Sequence, residues 1–128
     1  MTVPSVRTLL LVEDHLASRV AMRELLVDRS FRVLDAGTLG QAHAVFCEEP
    51  DKIDALVTDM TLPDGLGSHL AAELQRARPD LPVVILSGRD ADDPEVSRAL
   101  RAQRTVFARK PIHIDELESV ISHLLESK

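Results

Sequence analysis

Residues 8–14 read TLLLVED, a run of Leu and Val that ends abruptly in two acids. Four more short apolar runs follow at regular intervals: FRVL at 31–34, IDALVT at 53–58, PVVIL at 82–86 and TVFA at 105–108. Runs that are apolar on both faces are typical of strands that helices cover on both sides. We therefore predict five buried strands, with the run at 8–12 as the first.

Longer amphipathic stretches separate these runs and predict five helices. The predicted helices are His15–Asp28, Thr38–Cys47, Leu66–Ala77, Pro94–Ala102 and His113–Leu125. In the first helix we expect Leu16, Val20, Leu25 and Val27 to face the core, because they lie near one stripe. The strict alternation of strand and helix predicts an α/β domain with a parallel sheet and right-handed crossovers.

Length and composition limit the function classes. The chain has 128 residues, 45% of them apolar and 28% charged, which predicts a single domain over 1–128 with its core at about 6–125. A net charge of −6 argues against direct nucleic-acid binding. The first apolar run is too short for a signal peptide or a membrane span, so we expect no membrane insertion and a cytoplasmic protein. The lone Cys47 excludes an internal disulfide framework, and we expect it to be buried in a helix.

Polar residues follow the strand runs directly: Glu13 and Asp14, then Asp59, Ser87 and Lys110. Because the carboxyl ends of parallel strands meet at one edge of a sheet, we expect these residues to converge. Three close carboxylates repel one another and call for a cation, and their oxygens suit Mg²⁺. A carboxylate can also attack phosphorus, while one lysine and a cation stabilise the transferred phosphoryl group.

The ordered set of motifs resembles the receiver domain of two-component response regulators. The resemblance covers about Val6 to Leu125 and is carried by LLLVEDH at 9–15, VTDMTLPDGLG at 57–67, VVILSG at 83–88 and FARKP at 107–111. It implies a flavodoxin-like, doubly wound sheet of five strands in the order 2-1-3-4-5, with five helices. It also implies a signalling switch rather than a turnover enzyme, which takes its phosphoryl group from a histidine kinase or a phosphotransfer protein.

The resemblance further implies a role for each polar residue. Asp59 would be the phosphoacceptor, in a reaction that depends on Mg²⁺, with Mn²⁺ as an alternative ion. The metal ligands would be Glu13, Asp14, Asp59 and the backbone carbonyl of Thr61. Ser87 and Lys110 would bind the phosphoryl group.

Three other positions have structural or switching roles in the resemblance or in the local sequence. Phe107 matches an aromatic residue that turns inward when Ser87 is drawn to the phosphoryl group, and the bond from Lys110 to Pro111 would be cis. Gly65 ends a turn at 62–65, and we predict a positive φ there. Residues 103–106, QRTV, lack the glycine usual in the family, so we expect the turn before the last strand to differ.

The resemblance places the output surface on the helix at 94–102, the fifth strand and the last helix. A downstream protein would bind there. Basic residues near the fifth strand and acidic residues on the last helix could also pair two copies as a homodimer, or form an ordinary solvated surface. These charged residues are Arg98, Arg101, Arg104, Arg109, Asp115, Glu116 and Glu118.

Two alternative functions use the same residues. A receiver-like scaffold would bind partners without phosphorylation, although such modules typically lose the acidic pair or the lysine. A phosphatase similar to the haloacid dehalogenases would also use an Asp nucleophile, a Ser or Thr, a Lys and Mg²⁺. There the nucleophile follows the first strand, whereas Asp59 follows the third, and this chain has no room for a cap domain.

Overall fold

The computed structural model describes residues 6–88 and 104–126. Its main sheet is parallel and contains five strands in the order β2-β1-β3-β6-β7. These strands are β1 Thr8–Val12, β2 Arg32–Ala36, β3 Ala55–Asp59, β6 Val83–Ser87 and β7 Thr105–Arg109. Counted within this sheet alone, the order is 2-1-3-4-5, which confirms the expected topology. The remaining strands, β4 Thr61–Leu62 and β5 Gly65–Leu66, form a small antiparallel hairpin that we had predicted only as a turn.

Four helices flank the sheet in the described part of the chain: α1 Leu16–Asp28, α2 Leu39–Glu48, α3 Gly67–Ala77 and α4 Ile114–Glu126. The helix predicted at 94–102 lies outside the described residues. Thr38 caps α2 as expected, since its hydroxyl accepts a hydrogen bond from the backbone N–H of Gln41 at 3.1 Å. Within the described ranges, no helix combines the length and hydropathy that crossing a membrane requires.

Two hydrophobic cores lie on opposite faces of the sheet. Leu10 of β1 belongs to the core beneath α2 and α3, and its neighbour Leu11 belongs to the core beneath α1 and α4. Side chains alternate between faces along a strand, so a strand covered on both sides must be apolar at every position. This is why the sequence runs showed no alternation of polar and apolar residues.

The expected core stripe of α1 is wrong. Leu16 is 63% exposed and Val27 48% exposed, and Val20 and Leu25 are each 44% exposed. The helix packs on the sheet instead through the buried Leu26 and the partly buried Met22. The apolar residues we had assigned to the core therefore form surface, because their hydrophobicity alone did not indicate which side of the helix faces inward.

Two further expectations need correction. Cys47 is exposed on α2, because the helix turns Ala42 and Phe46 toward the core instead. The turn before β7 does contain a left-handed residue, as a glycine would provide, but Arg104 adopts it with a φ of 55°. Arg104 also donates a hydrogen bond from its guanidinium to the carbonyl of Leu124 at 2.7 Å, a contact that a glycine cannot make.

Candidate functional site

Three carboxylates meet at the carboxyl end of the sheet. Val12 of β1 pairs with Thr58 of the neighbouring strand β3. The residues that follow these two, Glu13 and Asp59, therefore lie side by side. One carboxylate oxygen each from Glu13, Asp14 and Asp59 lies within 4.8 Å of the others. Glu13 and Asp59 are buried at 3% and 4% exposure, while Asp14 is exposed at the mouth. The predicted convergence of the acids is therefore observed.

Lys110 reaches into this cluster from the end of β7. Its Nζ lies 3.1 Å from Oε2 of Glu13, to which it donates a hydrogen bond, and 2.5 Å from Oδ1 of Asp59. Its backbone N–H donates to the carbonyl of Ser87 at 2.8 Å, which ties the end of β6 to the lysine. The peptide bond from Lys110 to Pro111 is cis, as the resemblance implied.

Burial and mutual contact shift the pKa values of this cluster. Burial and the hydrogen bond with Glu13 raise the pKa of Asp59 to about 7, against the opposing effect of the Lys110 ammonium. Burial also acts to raise the pKa of Glu13, but its hydrogen bonds with Asp59 and Lys110 outweigh it and lower that pKa. Burial acts to lower the pKa of Lys110, and the two carboxylates outweigh this and raise it. The cluster thus favours a charged Lys110 and Glu13 and a proton on Asp59.

The arrangement suits a hard divalent cation. Oδ1 of Asp59 is buried and has no hydrogen-bond partner among the described residues, and the ammonium of Lys110 is the positive charge beside it, 2.5 Å away. When Asp59 loses its proton, this buried oxygen becomes anionic, and a positive ion in contact with it would stabilise that charge. Mg²⁺ prefers oxygen ligands, and one or two carboxylates together with several retained waters usually bind it. Glu13, Asp14 and Asp59 are the residues that could hold the ion.

The other predicted site residues lie around this cluster at different depths. Ser87 is buried at the end of β6. Phe107 is partly buried in β7, in register with Ile85 of β6. Thr61 is exposed at the start of β4, two residues after Asp59. Gly65 begins β5 with a φ of 152°, the positive value predicted from the turn.

Sequence reasoning missed two residues that shape the loop after Asp59. A Cβ on Gly67 would lie 1.9 Å from the carbonyl oxygen of Asp59, so only glycine permits this approach. Gly67 also donates its N–H to the carbonyl of Met60 at 2.7 Å. Asp64 accepts hydrogen bonds from the N–H groups of Leu39 at 2.9 Å and Gly40 at 3.2 Å, which join the hairpin to the start of α2. The sequence prediction names Gly65 in the same motif but not Gly67, because the approach of Gly67 to the Asp59 carbonyl is a tertiary contact.

The fold, a five-stranded parallel α/β sheet with acids at the carboxyl ends of its strands, is the class of structure that comparison with known proteins also finds. A sequence model of the response regulator receiver domain matches residues 9–122. This chain belongs to the response regulator receiver domain family. That membership leaves no support for the haloacid-dehalogenase-like alternative.

Individual relatives and structures place the chain within this family. It is 33% identical over 110 residues to the KDP operon transcriptional regulatory protein KdpE of Escherichia coli. This match covers 86% of the present chain and 47% of KdpE. The chain is 28% identical over 121 residues to the sensor kinase CckA of Brucella abortus, covering 94% of this chain and 13% of the kinase. The chain thus spans half or less of the length of these curated relatives.

Solved structures of receiver domains superpose closely. The non-phosphorylated HemR receiver domain of Leptospira biflexa gives a TM-score of 0.85 at 29% identity, covering 95% of this chain and 96% of that one. A response regulator receiver domain protein of Clostridium thermocellum gives a TM-score of 0.86 at 23% identity, covering 94% of each chain, and shows the shared fold.

Proposed function

We propose that this chain is one receiver domain that takes a phosphoryl group onto Asp59 from a phosphohistidine of a histidine kinase or phosphotransfer protein. The observation that carries this proposal is the contact of Lys110 with both Asp59 and Glu13, 2.5 Å and 3.1 Å away, beside a third carboxylate. The site combines a carboxylate nucleophile with acids for a cation and a fixed positive charge. We expect this chemistry to take place in the cytoplasm, where such donors act.

In the proposed reaction, an Asp59 carboxylate oxygen attacks the phosphorus of the donor. The new O–P bond forms as the P–N bond of the phosphohistidine breaks, and the electron pair returns to the imidazole nitrogen, which takes a proton from water. Lys110 then pairs with a phosphoryl oxygen instead of with the Asp59 carboxylate. A divalent cation held by Glu13, Asp14 and Asp59, with the Thr61 carbonyl, would neutralise charge on the phosphoryl oxygens and lower the pKa of Asp59.

Phosphorylation would then alter a protein-binding surface. Ser87 lies at the end of β6, and its hydroxyl would donate to a phosphoryl oxygen. Its movement would leave space beside β7, where Phe107 is only partly buried. We propose that Phe107 turns inward and that the surface formed by β7 and α4 changes its affinity for a downstream partner.

A charge-paired homodimer through α4 would need acidic residues that are free to pair with a second copy, and two of the candidates are not free. Asp115 and Glu118 lie 2.7 Å and 3.1 Å from the guanidinium of Arg29, at the end of α1 in the same chain. These two acids are therefore already engaged within the domain. Any dimer through this surface would have to displace the Arg29 contacts or rely on other residues.

We place the contact with the phosphoryl donor on α1. The donor histidine must reach Asp59 through the open mouth at Asp14, and α1 begins two residues after Asp14. Leu16, Val20 and Val27 lie along one exposed stripe of this helix. An apolar stripe that starts at the mouth of the site is typical of a surface that a protein partner covers during transfer.

A substitution of Leu16 tests this donor surface. With any histidine kinase that labels the wild type, Leu16→Ser should slow transfer to Asp59 severalfold, whereas labelling by acetyl phosphate should stay unchanged. Val6→Ser is the matched control, because Val6 is equally exposed at 64% but precedes β1 at the opposite edge of the sheet. Equal slowing by both variants, or by neither, would remove α1 from the donor surface.

The phosphoacceptor itself is tested by intact mass after incubation with acetyl phosphate, with and without Mg²⁺. Wild type should gain one phosphoryl group only with Mg²⁺, and hydroxylamine should remove it, as expected of an acyl phosphate. Asp59→Asn should gain none. Labelling that persists in Asp59→Asn would move the acceptor elsewhere. An unlabelled wild type, with kinases as well as with acetyl phosphate, would favour the phosphorylation-independent scaffold.

A further inference from the structure

Arg19 lies on the inner face of α1, where a charged side chain is unusual. It shares this face with Met22 and Leu26, which pack on the core at positions three and seven residues later. Its side chain is only 20% exposed. Arginine is rarely buried to this degree unless its guanidinium is paired, so the partners of Arg19 indicate its role.

The guanidinium of Arg19 joins three segments next to the acidic cluster. Nη1 donates a hydrogen bond to the backbone carbonyl of Glu13 at 2.9 Å. Nε lies 3.3 Å from Oδ2 of Asp35, in the edge strand β2. The group also covers Gly37, where a Cβ would lie 2.4 Å from Nη1. The absence of a side chain at Gly37 therefore leaves the space that the guanidinium occupies.

The Glu13 carbonyl that Arg19 holds belongs to the peptide linking Glu13 to Asp14. The other side of Glu13 is fixed as well, since its N–H donates to the carbonyl of Ala36 at 3.0 Å. Asp14, by contrast, is exposed, and its carboxylate has no partner among residues 6–88 and 104–126. The orientation of that peptide plane therefore sets where the Asp14 carboxylate lies in the cluster.

We infer that Arg19 is a positioning residue for the cation site. It fixes the Glu13–Asp14 peptide against β2 so that the Asp14 carboxylate is already placed when the ion binds. The inference rests on the proposed function, because it requires that the cluster bind a divalent cation. Residues that orient a metal ligand typically contribute about tenfold or more to metal affinity without touching the metal.

The test is the Mg²⁺ dissociation constant, measured by calorimetry on the unphosphorylated protein. Arg19→Gln should raise it about tenfold. Arg23→Gln is the matched control, because it removes the same charge one turn later from an exposed position of the same helix, and it should leave the constant unchanged. At saturating Mg²⁺, labelling of Arg19→Gln by acetyl phosphate should return to within about twofold of wild type.

Gly37→Ala provides an independent way to displace the guanidinium while keeping Arg19. The added methyl group would push the flexible end of Arg19 off the Glu13 carbonyl, so this variant should also weaken Mg²⁺ binding. In the Arg19→Gln background Gly37→Ala should have no further effect, because the group that it displaces is gone. A merely structural role of Arg19 would lower thermal stability without this non-additive loss of affinity.

The outcomes separate the two claims. Weaker Mg²⁺ binding in Arg19→Gln and Gly37→Ala, with no added loss in the double variant, supports the positioning role. Wild-type affinity in Arg19→Gln overturns the positioning role and leaves the proposed function intact. Additive losses in the double variant also overturn it. A wild type that binds no Mg²⁺ overturns the proposed cation site itself.

Discussion

The body of the sheet and its carboxyl edge differ in the kind of residue that they bury. Leu10, Leu56 and Ile85 in β1, β3 and β6 are buried apolar residues of one core. Beyond or at the ends of the same strands, Glu13, Asp59 and Ser87 are buried as well, but polar. The first set is buried because this stabilises the fold. Of the second set, the Asp59 carboxylate is destabilised by its burial, as its raised pKa shows, which indicates selection for chemistry rather than for stability at that position.

A core substitution should produce the largest loss of stability in this comparison. Leu56→Ala would leave a cavity in fully buried β3 and lower the free energy of unfolding by about 3 kcal/mol. Urea unfolding followed by circular dichroism measures this, since the chain has no Trp or Tyr for fluorescence. Mg²⁺ affinity of the folded protein should not change. A loss below about 1 kcal/mol would mean that this strand is not the rigid support of the site.

The next largest effect should come from the loop that follows Asp59. Gly67→Ala would force a methyl group against the Asp59 carbonyl, and we expect a loss of about 2 kcal/mol in unfolding free energy together with slower labelling. Gly40→Ala is the control, because its Cβ would meet no atom closer than 3.9 Å. That variant should be neutral or slightly stabilising, as alanine favours helix. Similar behaviour of the two variants would contradict the close approach.

A smaller effect, on Mg²⁺ affinity, should distinguish Asp14, the exposed acid of the cluster, from an ordinary surface acid. Asp14→Ala should weaken Mg²⁺ binding at least tenfold, or about 1.4 kcal/mol, because it removes one of three carboxylates. Asp80→Ala removes an equally exposed carboxylate after α3 and should leave the affinity unchanged. Calorimetric titration with MgCl₂ distinguishes them. Equal affinities in both variants would exclude Asp14 as a ligand.

Much of the sheet and of the site could be predicted from the sequence, for one physical reason. A parallel sheet buried on both faces needs continuous apolar strands, and its carboxyl ends form one edge. Once the strands were assigned, Asp59 and Lys110 were therefore expected at the same edge of the sheet. The strand order itself came from the resemblance to receiver domains rather than from the pattern.

Other features depend on contacts that the sequence pattern does not contain. The face of α1 that packs on the sheet could not be predicted, because Leu16 and Val20 are as apolar as core residues and yet lie on the surface. The importance of Gly67 depends on a backbone approach to Asp59, and that of Arg19 on contacts with Glu13 and Asp35. Each of these is a tertiary distance, which periodicity and local propensity do not encode.

The pH dependence of Asp59 connects the site to stability. Its pKa is raised to about 7 in the folded chain from an ordinary value of 3.8, so the folded state retains a proton that the unfolded state has lost. This contribution to stability is present at low pH and is lost as the pH rises from about 4 through 7. At pH 8 without a cation, the Asp59 carboxylate should therefore destabilise the fold.

The most direct test of the account is the unfolding free energy of wild type and Asp59→Asn at pH 5 and pH 8, with and without Mg²⁺. Without the ion at pH 8, Asp59→Asn should be more stable by about 1–2 kcal/mol, and the difference should shrink at pH 5. Mg²⁺ should stabilise wild type and have little effect on the variant. A wild type that is the more stable protein at pH 8 without Mg²⁺ would contradict the claim that this edge is built for a cation and a phosphoryl group.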